Sequence, residues 1–118
     1  MTRNELLAYC LAKPGAQQDE PWQGDVLVKV GGKIFVFLGS GQNHTIGLKC
    51  GRTRELADQW LARHPGQVTV TGYLGRYGWN NLSFAGGIPQ DELLEAVDDS
   101  YADVVSRLPK RDRPLAAG

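Results

Sequence analysis

The chain has 118 residues, 42% of them apolar and 22% charged, which suffices for one ordinary hydrophobic core. Thirteen cations balance thirteen anions, a neutrality that counts against a dedicated nucleic-acid binder, whose domain pI usually exceeds about 9. No apolar run has the length of a membrane-spanning helix, and residues 1–118 are expected to form one domain.

A first helix is expected over residues 3–12. Thr2 and Glu5 have the spacing of a capping box. Leu6, Leu7, Cys10 and Leu11 recur at helical spacing, and Pro14-Gly15 stops the pattern. Residues 16–24 read as a polar loop, with Trp22 as a lid on the core edge. Strands are predicted at residues 26–30, 33–38 and 45–50. Gly31-Gly32 joins the first two as a two-residue hairpin, and residues 39–43 read as a turn. Thr53 caps a second helix over residues 54–64, whose buried face is Leu56, Trp60 and Leu61; Pro65-Gly66 ends it. Two more strands are expected at residues 68–71 and 81–84. Pro89 suits the first turn of a last helix. Leu93, Leu94, Val97, Tyr101, Val104, Val105 and Leu108 form its apolar stripe. Residues 109–118 read as a flexible, proline-containing basic tail. Short connections imply antiparallel pairing. The fold class is therefore α+β, a two-layer sandwich with about five strands and helices on one face.

Charge is spread unevenly along this plan. Residues 26–85 carry Lys29, Lys33, Lys49, Arg52, Arg54, Arg63 and Arg76 against Glu55 and Asp58. The last helix carries Asp91, Glu92, Glu95, Asp98, Asp99 and Asp103 before its first cation, Arg107. A dipolar surface is expected, basic over the sheet and acidic along that helix.

The segment 72–81 concentrates chemistry. It sets Tyr73, Arg76, Tyr77 and Trp79 among Gly72, Gly75 and Gly78. Rings beside a guanidinium suit the stacking of bases from DNA. Lys49, Arg52 and Arg54 are the candidate phosphate contacts, the last two near the positive start of a helix. A second reading takes Trp22, Tyr73, Trp79 and Asn80 as the rim of a pocket or surface for a small ligand or a protein partner. Catalytic chemistry lacks a constellation. His44 and His64 stand in no catalytic or metal spacing with a cysteine or carboxylate, and no phosphate loop is present. Cys10 lies on an apolar stripe, and neither it nor Cys50 belongs to a CxxC pair. A non-catalytic protein without cofactor or metal is expected, with two free thiols. Residues 1–9 lack the apolar stretch of a signal peptide, so the expected location is the cytoplasm, without membrane attachment.

Several of these motifs resemble the MmcQ/YjbR family of small bacterial proteins, in order and spacing over roughly residues 2–109. The resemblance runs through Glu5-Leu6-Leu7, Lys13-Pro14-Gly15-Ala16, Pro21-Trp22 and Val30-Gly31-Gly32-Lys33-Ile34-Phe35. It continues through Leu48-Lys49-Cys50, His64-Pro65-Gly66, Gly72-Tyr73 and Trp79-Asn80. Pro89-Gln90-Asp91-Glu92-Leu93-Leu94 and Asp99-Ser100-Tyr101 complete it. The resemblance implies a frataxin-like (CyaY-like) fold of double-wing type and a DNA-binding role. The chain departs from the family pattern between Gly72-Tyr73 and Trp79-Asn80. There the family carries two basic residues and a histidine, whereas this chain keeps only Arg76 and has Gly78 at the histidine position. A weaker phosphate grip than in relatives is implied.

Overall fold

Thr2 and Glu5 start α1 (Arg3–Leu11) with the reciprocal hydrogen bonds of a capping box, as predicted. The computed structural model describes residues 1–39 and 44–114. After α1 come β1 (Ala16–Trp22), β2 (Asp25–Val30), β3 (Lys33–Gly39) and β4 (Thr45–Lys49). Then follow α2 (Arg54–Arg63), β5 (Val68–Val70), β6 (Trp79–Ser83) and α3 (Gln90–Ser106). Most of the predicted turn at residues 39–43 lies outside the described residues, as do residues 115–118 of the predicted tail. No helix among the described residues is long and apolar enough to cross a membrane.

The six strands form one antiparallel sheet in the order β1-β2-β3-β4-β6-β5. That is one strand more than predicted. Residues 16–22, read as a loop, pair with β2 from Ala16↔Val30 to Trp22↔Asp25. The sequence Ala-Gln-Gln-Asp-Glu-Pro-Trp shows no alternation because this edge strand is largely exposed. It is recruited by the backbone of β2, with an ion pair between Asp19 and Lys29 at 2.8 Å beside the ladder. Pro21 falls in the register shift between Asp19 and Trp22, where its missing N–H costs no ladder bond. Trp22, expected as a lid, is 72% exposed. The β2–β3 turn is as predicted: Val30 pairs with Lys33, and Gly31 and Gly32 both take positive φ, 57° and 79°.

All three helices cover one face of the sheet. Val28, Val36 and Leu48 lie side by side across β2, β3 and β4, and Ile46, Leu82 and Val68 continue the row to β5. Leu6 and Cys10 from α1, Trp60 from α2, and Leu93, Val97 and Val104 from α3 close over them. The apolar stripe predicted for α3 is thus its sheet-facing side. In α2, Ala57 joins Trp60 inside, while Leu56, predicted to be buried, is 47% exposed. The reason is close approach: Asn80 of β6 donates from Nδ2 to the Ala57 carbonyl at 2.9 Å, and a short side chain fits there.

The ladder between β3 and β4 stops early at one end. These strands pair at Phe37↔Gly47 and Val36↔Leu48; one further step would set Phe35 against Lys49. Instead the β2–β3 register slips between Val28 and Lys29, leaving Phe35 as a bulge residue. Its ring meets Tyr101 edge-on at 5.2 Å. Ser100 of α3 takes over the missing bond: its Oγ donates to the Phe35 carbonyl at 2.7 Å and accepts from the Lys49 N–H at 3.1 Å. Both buried backbone groups are satisfied, and the two strands part.

The first residues of the predicted tail lie against the end of α3. Residues Lys110–Asp112 form a 3₁₀ turn. Arg113 donates to the Leu108 and Ser106 carbonyls at 2.9 and 3.0 Å, filling acceptors that a helix end leaves open.

Candidate nucleic-acid interface

The link from β5 to β6 is built by its glycines. Tyr77 N–H donates to Leu74 O and Gly78 N–H to Gly75 O, making a single 3₁₀ turn over Gly75–Tyr77. Gly78 leaves that turn at φ 92°, a conformation other residues take at a cost of about 1–2 kcal/mol. Its carbonyl accepts from Cys50 N–H at 2.8 Å, so the link is tied to the end of β4. The tie brings Arg52 to the same end of the sheet as Arg76 and Tyr77.

Four candidate residues are exposed there. Tyr73 is 93% exposed and Tyr77 48%. The Arg76 guanidinium lies over the Tyr77 ring, 4.8 Å from its centroid. Arg52 is mostly in solvent and reaches Asp103 at 3.4 Å.

The other candidates turn inward. Trp79 is buried, its ring edge-on to Phe37 at 5.3 Å. Arg54, predicted to meet phosphate, spends its donors inside: Nη1 bonds Gly75 O at 2.9 Å and Trp79 O at 3.2 Å, and Nη2 bonds Asn80 Oδ1 at 2.5 Å. A guanidinium whose two terminal nitrogens already serve three acceptors fixes the link rather than reading a ligand. Asn80 is fully buried between Arg54 and Ala57. Lys49 is also buried, with Nζ 3.6 Å from Asp103. Burial, and next the charge of Arg107, pushes its ammonium pKa down.

The predicted pocket of Trp22, Tyr73, Trp79 and Asn80 is not assembled. Trp22 stands on β1 at one edge of the sheet, and Tyr73 follows β5 at the other. Trp22 instead borders a separate hollow with Pro21, Leu27 and Phe37. Sequence reasoning missed Lys33, Asp103 and Arg107 as neighbours of Lys49. The Asp103–Arg107 pair was legible as an i,i+4 spacing, but its meeting with Lys49 depends on how α3 crosses the sheet.

Tyr73 carries the backbone strain of this surface. Its φ is 69°, and with 93% exposure no packing explains it. Tyr73→Gly should raise stability by about 0.5 kcal/mol, the αL relief less the extra chain entropy of glycine. Thermal melts check this; a loss of stability would show that the Tyr73 ring holds the link in place.

Neither thiol offers a nucleophile. Burial pushes both Cys10 and Cys50 up to about 12. His64 is spent on Glu92, with Nε2 2.9 Å from its carboxylate.

Comparison with known proteins agrees with this architecture. The YjbR family model matches residues 11–103. YjbR of Escherichia coli K12 is 32% identical over 118 residues, covering 98% of this chain and 97% of that protein. The YjbR protein of Escherichia coli O157:H7 shows the same figures. Among solved structures, a Deinococcus radiodurans protein with a DUF419 domain superposes with a TM-score of 0.83 at 20% identity. That match covers 95% of this chain and 85% of the other. A Pseudomonas syringae protein superposes with a TM-score of 0.66 at 16% identity, covering 85% of this chain and 96% of the other. These two show the fold, and the family model and sequence relatives show the lineage: the chain belongs to the YjbR family.

Proposed function

We propose that this chain is a non-catalytic DNA-binding protein that takes unpaired bases on the Tyr73–Tyr77 surface. The observation that carries the reading is the Arg76 guanidinium over the Tyr77 ring, with the exposed ring of Tyr73 three residues before Arg76 in the same link. A ring face and a planar cation at one exposed spot suit base stacking and a neighbouring phosphate. Arg52 adds a second cation on the same end. With one or two phosphate contacts the salt dependence is shallow compared with that of large DNA binders. The unactivated thiols support the non-catalytic part of the reading.

The test is fluorescence anisotropy of labelled single- and double-stranded oligonucleotides from low to physiological salt. Single strands should bind more tightly than duplexes and weaken as salt rises. Arg76→Ala and Tyr73→Ala should each cost about tenfold in affinity, the scale of one stacked base or one charged contact. Absence of binding by either oligonucleotide at the lowest salt would refute the proposal.

A further inference from the structure

Where β3 and β4 part, a cleft of about 240 Å³ opens beneath the C-terminal half of α3. Its floor is apolar: Ile34, Trp79, Val104 and Leu108. Its cations are Lys33, Lys49 and Arg107. Three of the cations around it, Lys49, Arg52 and Arg107, share one carboxylate, Asp103. That carboxylate is itself mostly buried, with its side chain 14% exposed. One anion against three cations leaves positive charge uncompensated, and Lys33 at the rim adds more. Lys49 is 10% exposed, so water compensates it poorly. Asp103 Oδ2 is buried and meets its cations only as charges, since no donor among the described residues reaches it in hydrogen-bond geometry. A hydrophobic floor beside an under-neutralised cationic wall is the complement of one ligand type.

We propose that this cleft binds a small organic anion, a carboxylate or phosphate monoester on an apolar body about the size of a benzene ring. The head group would lie against Lys49, Arg107 and Lys33, and the body against Trp79, Val104 and Leu108. Asp103 then acts as the positioning residue that gathers the cations. The occupancy of this cleft is independent of DNA binding, because a suitable probe carries neither base nor sugar. Either proposal can fail alone.

The experiment is a ¹⁵N–¹H NMR titration of the whole chain with phenylacetate and with phenyl phosphate. Saturable shifts should centre on the Trp79 indole and the amides of residues 33–34 and 104–108. Arg107→Gln, on an exposed helix end, and Lys33→Gln, at the exposed start of β3, keep the fold and should each weaken binding about tenfold. Tighter binding of one probe assigns the head group as phosphate or carboxylate. Benzyl alcohol and inorganic phosphate supply the body and the charge separately. Equal binding by either, shifts centred elsewhere, or no shifts at all would overturn the assignment.

Discussion

Gly78→Ala should destabilise the protein by about 2–5 kcal/mol, combining a left-handed backbone penalty with overpacking. A Cβ at position 78 would lie 2.0 Å from the Gly51 carbonyl oxygen and 3.0 Å from its carbon. Both are backbone atoms, so no rotamer change relieves the clash. The link cannot swing away either, because the carbonyl of Gly78 holds Cys50 N–H at 2.8 Å. At about 4 °C per kcal/mol for a domain of this size, the melting temperature should fall by about 8–20 °C. Gly72→Ala is the matched control: it has an unobstructed Cβ position and needs no positive φ. Its effect should stay within about 0.5 kcal/mol. If calorimetry finds the two variants alike, the tie between β4 and the β5–β6 link does not hold the site.

Arg54→Ala should cost about 3 kcal/mol, measured by urea denaturation with an unchanged m-value. The guanidinium serves Gly75 O, Trp79 O and Asn80 Oδ1 at once. Its loss leaves acceptors without donors in a part-buried place, and the penalty is their desolvation rather than a lost attraction. Arg54→Lys should recover little of the stability, since one ammonium cannot span three acceptors set for a planar fork. The exposed partner tells the opposite story. Arg54 also meets Asp58 one turn along α2 at 2.7 Å, yet Asp58→Ala should cost no more than about 0.5 kcal/mol. A large effect from Asp58→Ala with a small one from Arg54→Ala would place the value of Arg54 on the surface.

What could be read from the sequence was what is encoded locally. Thr2 with Glu5, Gly31-Gly32, Thr53 and the α3 stripe each involve residues within a few turns of one another, and each forms as expected. β1 escaped because its side chains carry no signal: an edge strand exposed on both faces needs no alternation. Leu56 was misplaced because the closeness of α2 to β6 is set by Asn80, far along the chain. The site shows the same division. Exposure of Tyr73, Arg76 and Tyr77 follows from a short glycine-rich link, and their grouping was legible. Whether a cation faces solvent or a carbonyl was not, because Arg52 and Arg54 differ only in what the fold brings to them. Arg54 meets three acceptors, one in the β5–β6 link and two at the start of β6, whereas Arg52 is mostly in solvent beside Asp103.

Ser100 couples the core to the cleft. If position 100 offered no hydroxyl, Phe35 O and Lys49 N–H would be free to meet directly, and β3 and β4 could zip one rung further. The opening lined by Lys33 and Lys49 would then narrow from the strand side. A single hydroxyl on a helix therefore acts as a spacer that sets the aperture of a sheet. Substitutions that tighten packing beneath α3 will also resize the cleft, so the interior of this protein and the size of its ligand cannot be tuned separately.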